Sequence, residues 1–194
     1  MKKTILIANC GSIALGPSLI KLLKYMKGIN ARIIGIDCNE KTAGALLVDK
    51  FYKSPKSSDK NYISFLLDLC KNEKVDIILP TSIENVSLPI LDRIEDFEKL
   101  GTKLPACEKH VLSIANNKIK MLNHLKNLSI PSAKFFIPKT PDEFLCMATK
   151  LGYPNKEVVV KPSSLSGNRG FKILSDTKGK LKNISDLMSK PDIN

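Results

Sequence analysis

Nearly continuous apolar runs recur along the first half of the chain. Residues 4–8 form one such run, and residues 32–37 and 75–79 form two more. Runs of this kind are typical of strands that are buried on both faces of a parallel sheet. A further short strand is predicted at Phe51 and Tyr52, because both residue types favour strands. The pattern therefore predicts four strands in this half.

Segments with helical spacing of apolar residues separate these strands. A first helix begins near Pro17 and is ended by Gly28, since proline suits the first turn of a helix and glycine its end. A second helix follows Asp59, which can cap it. The apolar stripe of the first helix consists of Leu19, Ile20, Leu23 and Met26.

The alternation continues to about residue 106. Residues 85–99 predict a third helix, interrupted near Pro89, and residues 102–104 predict a short strand. Strands that alternate with helices imply right-handed crossovers between parallel strands. We therefore predict an α/β fold with a Rossmann-like, doubly wound parallel sheet.

The pattern changes after Cys107. Residues 108–128 have apolar side chains at helical spacing, residues 134–137 are predicted as a strand, and residues 141–151 as a helix that Gly152 ends. This order predicts a second, small α+β unit.

A glycine- and serine-rich loop joins two further predicted strands, residues 157–160 and 171–174. Glycine lets a backbone approach an anion closely, and consecutive N–H groups can then converge on phosphate oxygens. Lys161 and Arg169 flank the loop with positive charge, which a polyphosphate would need. An ordinary hairpin with a long solvated turn has the same spacing, so both interpretations are open at this point.

This segment resembles the lid of ATP-grasp enzymes, in which an apolar strand ends in Lys-Pro and leads into a glycine-rich loop. Lys161 and Pro162 stand at those positions, and the synthetase units of the carbamoyl-phosphate synthase large chain are the most similar members. A second pattern of the family is Asp-Lys, a helix, then Gly-Ile-Pro. Here Asn117 precedes Lys118, and Ser129 stands in place of the glycine.

The resemblance implies a division into three parts. Residues 1–106 would be a pre-ATP-grasp domain, residues 107–133 a helical linker, and residues 134–194 an incomplete lid subdomain. The adenine-contacting segment and the Mg²⁺-binding strands of the family would come after this point. We therefore expect a fragment that does not turn over by itself.

The resemblance also implies cofactors and a site. The enzyme would use ATP and Mg²⁺ to phosphorylate a small carboxylate, which an amine then attacks, and the metal ligands are expected outside this chain. Lys118 and Lys161 would neutralise phosphate charge, and the loop would bring its backbone close to the phosphates. The loop residues concerned are Ser166, Gly167, Asn168, Arg169 and Gly170.

Three residues at the carboxyl edge of the predicted sheet are candidates for substrate contact: Gly11, Asp37 and Glu84. Open α/β sheets bind ligands at this edge, although capping or turn roles are equally open for the two acids. Asp37 also lies where an acid would bind the ribose of NAD(P), so a nucleotide-cofactor oxidoreductase is an alternative. Against it, Gly11 and Gly16 lack the third glycine of the dinucleotide fingerprint, and Pro17 replaces the Walker A lysine.

The net charge of +12 is carried almost entirely by lysines that are spread along the 194 residues. A nucleic-acid binder usually concentrates its charge and interleaves aromatic residues or arginine, whereas only Arg32, Arg93 and Arg169 are arginines. A solvated surface is therefore favoured over a nucleic-acid partner, and a non-catalytic basic binding module is a second alternative. Such a field still attracts small acidic substrates.

Cysteine usage and hydropathy indicate a cytoplasmic protein without a membrane segment. The five cysteines are odd in number and far apart, which argues for reduced thiols and against a zinc site. His110 and His124 are not at ligand spacing either. No apolar stretch is long enough to cross a membrane, and the first is too short for a secretory signal. A homodimer is left open.

Overall fold

The computed structural model describes residues 2–13, 15–82, 86–164 and 170–175. The chain divides into two compact units, Met1–Ser113 (unit 1) and Ile114–Asn194 (unit 2). Each unit has a hydrophobic core of its own. The division falls inside the segment 107–133.

Unit 1 contains a four-stranded sheet in the order β3-β2-β1-β4, and all its pairs are parallel. The predicted α/β fold with a parallel sheet is therefore confirmed. In chain order the elements are β1 (Lys3–Ala8), α1 (Gly16–Tyr25), β2 (Ala31–Asp37), α2 (Ala43–Leu47), β3 (Lys50–Lys53), α3 (Tyr62–Glu73), β4 (Ile77–Pro80), α4 (Leu88–Leu91) and α5 (Ile94–Lys99). The next helix, α6 (Lys109–Ala115), contains the point at which the two units divide.

Both faces of the sheet are buried, which explains the continuous apolar runs of its strands. Alternate residues of a strand point to opposite faces. Leu6 and Ile34 belong to a core that α3 and α5 cover, whereas Ile5 and Ile33 belong to a second core that includes Ile20 of α1. Burial of each such side chain stabilises the fold by about 1.5–3 kcal/mol.

Two predictions near the end of unit 1 need correction. The helix over residues 85–99 was expected to be interrupted near Pro89, but the break lies between α4 and α5. Pro89 lies in the first turn of α4, where a helix does not need the N–H that proline lacks. Residues 102–104 do not form a strand. They contribute one parallel bridge, between Lys103 and Ile77, so this segment only partly covers the edge of the sheet.

The described part of unit 2 contains α7 (Lys118–Asn127), α8 (Pro141–Leu151), β5 (Val158–Val160) and β6 (Lys172–Leu174). The two strands pair antiparallel, with Val158 opposite Leu174. These two residues pack with Phe144 and Ala148 of α8 to form the core. Several apolar side chains in the described part of unit 2 are exposed, among them Val159 and Ile173.

Two predictions in this region were also wrong. The single helix expected over residues 108–128 is broken between α6 and α7, because Asn117 has an extended backbone (φ −121°, ψ 112°) and caps α7. Residues 134–137 form no strand. Pro131 and Pro138 stand on either side of them, and neither can donate a backbone hydrogen bond.

Candidate functional site

At the carboxyl edge of the sheet in unit 1, the Asp37 carboxylate accepts hydrogen bonds from backbone N–H groups and is buried from solvent. Its Oδ2 accepts a hydrogen bond from the Gly11 N–H at 2.9 Å, and its Oδ1 accepts one from the Asn39 N–H at 2.9 Å. Only 6% of Asp37 is exposed. The structure therefore brings Gly11 and Asp37 together and gives the carboxylate a structural task.

The turn between β1 and α1 is closely packed around the Cys10 carbonyl. A Cβ added to Gly16 or to Gly44 would lie 2.0 Å from that carbonyl oxygen, which is far inside contact distance. Thr81 donates to the Asn9 carbonyl oxygen at 2.8 Å and fixes the turn from the β4 side. Glycine is thus required here for close approach.

Nucleophilic chemistry by the Cys10 thiol is disfavoured by its surroundings. Burial, with a further contribution from the nearby Asp37 carboxylate, raises the pKa of Cys10 to about 12. A neutral, buried thiol is a poor nucleophile. Glu84, the third candidate for substrate contact, lies outside the described residues, and substrate contact from Gly11 or Asp37 stays a prediction.

Unit 2 has an open cavity of about 1320 Å³. Apolar side chains from α7, α8, β5 and the segment 134–138 form most of its wall, and four lysines add positive charge. Glu157 is the one acid that lines it among the described residues. The lysines are Lys118, Lys134, Lys161 and Lys172.

Lys118 and Lys161 reach this cavity from distant parts of the sequence. Lys118 is the first residue of α7, and its backbone N–H donates to the Ser163 carbonyl oxygen at 2.8 Å. Lys161 directly follows β5, and its Nζ lies 5.5 Å from the centroid of the Phe171 ring. The structure therefore brings the two segments together, while contact of either lysine with a nucleotide stays a prediction.

The loop predicted to approach the phosphates falls mostly outside the described residues. This applies to Ser166, Gly167, Asn168 and Arg169. Gly170 is described, lines the cavity and has a φ of 68°, a left-handed conformation that glycine adopts without strain.

Sequence reasoning missed the contacts that join these segments. Asn117 accepts a hydrogen bond from the Lys120 N–H at 3.0 Å, and its Nδ2 lies 3.3 Å from Ser164 Oγ. An asparagine ahead of a helical stretch is a common N-cap signal. Local pattern alone, however, does not indicate a partner far along the chain.

Neither a metal cluster nor a membrane span is found in the part of the chain that the structure describes. No three His, Cys, Asp or Glu side chains there could share a metal ion. The described residues therefore provide no metal site made of three or more of their own side chains. None of the described helices has the length and apolar character needed to cross a bilayer.

Residues 5–105, just over half of the chain, match the family described as PylC-like, N-terminal domain. Over 179 residues the chain is 26% identical to the mitochondrial arginine-specific carbamoyl phosphate synthase large chain of Neurospora crassa, covering 87% of this chain and 15% of that protein. Over 136 residues it is 29% identical to a formate-dependent phosphoribosylglycinamide formyltransferase of Corynebacterium glutamicum, covering 66% of this chain and 32% of that protein. The chain thus spans a third or less of these curated relatives.

Solved structures share the fold. An ADP complex of N5-carboxyaminoimidazole ribonucleotide synthetase matches with a TM-score of 0.65 at 21% identity, over 90% of this chain and 41% of that one. The biotin carboxylase domain dimer of Hydrogenobacter thermophilus 2-oxoglutarate carboxylase, with MgADP, ADP and bicarbonate, matches with a TM-score of 0.59 at 21% identity, over 90% and 38%.

Proposed function

This chain belongs to the family of PylC-like N-terminal domains, and on that basis we propose that it is the front part of an ATP-dependent ligase that activates a small carboxylate as an acyl phosphate. The relationship to the N-terminal portion of ATP-grasp enzymes, predicted from Lys161 and its loop, is confirmed by the comparisons. They favour this function over an NAD(P)-dependent oxidoreductase. The environment of Asp37 also argues against an oxidoreductase. Its side chain is buried and accepts two hydrogen bonds, so it presents little surface to a ribose.

The observation that carries the proposal is the presence of Lys118 and Lys161 on one cavity. A bound ATP would supply the phosphoryl group for transfer to the carboxylate. In such transfers a protein contributes mainly positioning and charge stabilisation. Two ammonium groups that reach one cavity from separate segments can neutralise phosphate oxygens from two sides. Because the metal ligands are expected outside this chain, no step is assigned to the metal.

We extend the proposal to the organisation of the chain and to its substrates. Residues 1–106 would be the pre-ATP-grasp domain, 107–133 the linker and 134–194 part of the lid. The carboxyl edge of the sheet, with Gly11 and Glu84, would face the acceptor acid, and Asp37 would contribute by holding the Gly11 backbone in place. The biotin carboxylase domain described above was solved with bicarbonate, which supports a small carboxylate as the acceptor.

Nucleotide binding by this chain tests the proposal directly. We expect saturable binding of ATP and ADP in calorimetry, and about tenfold weaker binding in Lys118→Ala and in Lys161→Ala, since each removes a charge-assisted contact. Lys150→Ala is the matched control, because Lys150 is an exposed lysine of α8 that does not line the cavity. Equal affinities in all four proteins would contradict the proposal.

The alternatives are tested with the same preparation. Saturable binding of NADH or NADPH in place of ATP would support an oxidoreductase, and tight, salt-dependent binding of nucleic acid would support a basic binding module. We also infer a cytoplasmic location, which the five free thiols support. A homodimer is our proposal for the assembly, supported by the dimeric biotin carboxylase domain and testable by light scattering.

A further inference from the structure

Asn117 occupies a position where one side chain contacts two segments of the candidate site, the start of α7 and the segment that leaves β5. Its backbone ends the break between α6 and α7, its Oδ1 caps α7, and its Nδ2 faces Ser164. Ser164 follows Lys161 by three residues, and its Oγ lies 3.4 Å from that of Ser163. The side chain of Asn117 therefore connects the start of the Lys118 helix to the segment that leaves β5.

The orientation of the carboxamide is fixed by its partners. The Lys120 N–H can only donate, so the atom that faces it at 3.0 Å must be the oxygen. The amide nitrogen is then left to donate to Ser164 Oγ. An aspartate at this position has no N–H to donate, so the bond in this direction depends on asparagine.

A second bond runs in parallel with this one. The Lys118 N–H is one of the first backbone donors of α7, which have no partner inside the helix. It donates to the Ser163 carbonyl oxygen at 2.8 Å. Two adjacent residues of the helix start thus bind two adjacent serines, and such a pair resists both sliding and rotation of one segment against the other.

We propose that Asn117 is a positioning residue that sets the spacing of Lys118 and Lys161 on the cavity by tethering the start of α7 to Ser163 and Ser164. This inference rests on the proposed function, since the spacing matters only if both lysines bind one nucleotide. Asn117 itself need not touch the ligand. Its effect on affinity would pass through the backbone of its neighbours.

Asn117→Ser separates the tether from helix capping. Serine caps a helix about as well as asparagine, but its shorter side chain cannot also reach Ser164. We expect the Lys118 amide to exchange with solvent deuterium about fivefold faster in this variant, while the Lys120 amide stays protected by the cap. ADP affinity should fall by a similar factor. Asn123→Ser, in an exposed position of the same helix, is the matched control.

Ser164→Ala removes the same bond from the other side. It should reproduce both effects, and the double variant should be no worse than either single one, because all three lack the same bond. Unchanged exchange at Lys118 in Asn117→Ser would overturn the tether. Faster exchange with unchanged ADP affinity would overturn the positioning role. If the unaltered chain binds no nucleotide, the proposed function and the positioning role fail together, and the exchange data still decide the tether.

Discussion

Units 1 and 2 use their polar side chains in opposite ways. In unit 1, Asp37 and Thr81 are buried at the edge of the sheet and bind backbone groups of the turns around them. In the described part of unit 2, Lys118 and Lys161 line an open cavity whose wall includes core residues of α8 and β5. Residue types that suggest chemistry therefore have a structural task in the closely packed unit and are candidates for ligand binding in the open one. Burial, rather than residue type, separates the two cases.

The largest effect is expected where the packing of unit 1 is tightest. Gly16→Ala places a methyl group 2.0 Å from the Cys10 carbonyl oxygen, and we expect a loss of about 3 kcal/mol or more in the free energy of unfolding. Urea unfolding followed by circular dichroism measures it. Gly28→Ala is the control, because no atom beyond the adjacent residues of the chain lies within 4 Å of the added methyl group and only the cost of a positive φ, about 1 kcal/mol, applies. Equal losses would mean that the turn is not closely packed.

A smaller effect is expected from acid. Hydrogen bonds from Lys50, Tyr52 and Arg32 lower the pKa of Glu73 to about 2. Because the pKa is lower in the folded state, this carboxylate stabilises unit 1 fully above about pH 4.5 and loses its contribution as the pH falls toward 2. We expect about 2 kcal/mol to disappear across this window.

Glu73→Gln should flatten that acid dependence. The measurement is the urea midpoint at a series of pH values from 5 to about 2. Glu95→Gln, on the exposed side of α5, is the control and should retain the full dependence. If the urea midpoint of Glu73→Gln fell with pH as steeply as that of the unaltered chain, the hydrogen bonds of Glu73 would not contribute to the stability of unit 1.

The smallest effects are expected in unit 2, and neighbouring residues of β5 provide a matched pair. Val158 is 6% exposed and Val159 is 49% exposed. Val158→Thr buries a hydroxyl group against α8 and should cost about 1–2 kcal/mol. Val159→Thr should change stability by less than about 0.5 kcal/mol. A larger loss of stability for Val159→Thr in thermal unfolding would show that this face of the two-stranded sheet β5-β6 is covered in solution.

The parts of the fold that local pattern determines were predictable. The limits of α8 follow from Pro141 at its start and Gly152 at its end, and the structure has the same limits. Three of the four strands of unit 1 follow from apolar runs, and β3 follows from the strand preference of Phe51 and Tyr52. The break at Asn117 was not predicted, because helical spacing of apolar residues continues on both sides of it. Apolar residues do recur at helical spacing on both sides of the break, but the Asn117 side chain caps α7 and starts a new helix there.

The candidate site was less accessible to sequence reasoning. That Lys118 and Lys161 share a cavity follows from a backbone bond between Lys118 and Ser163, and no local spacing encodes a contact over this separation. The family resemblance indicates both lysines without any knowledge of the fold. It did not indicate the role of Asn117, which depends on the direction of two hydrogen bonds.

The two-sided burial of β1 has a consequence for redesign of the sheet. Since the residues on both faces are apolar, hydrophobicity alone would tolerate a one-residue shift in the register of this strand with β2. Shape forbids it. A side chain at Gly35 would collide with Val48 and with the Cys10 thiol, and a shifted β2 would bring an isoleucine into that gap. A library of sheet variants that conserved only the pattern of apolar and polar positions would lose the register of β1 and β2. A library that also kept Gly35 would retain this register.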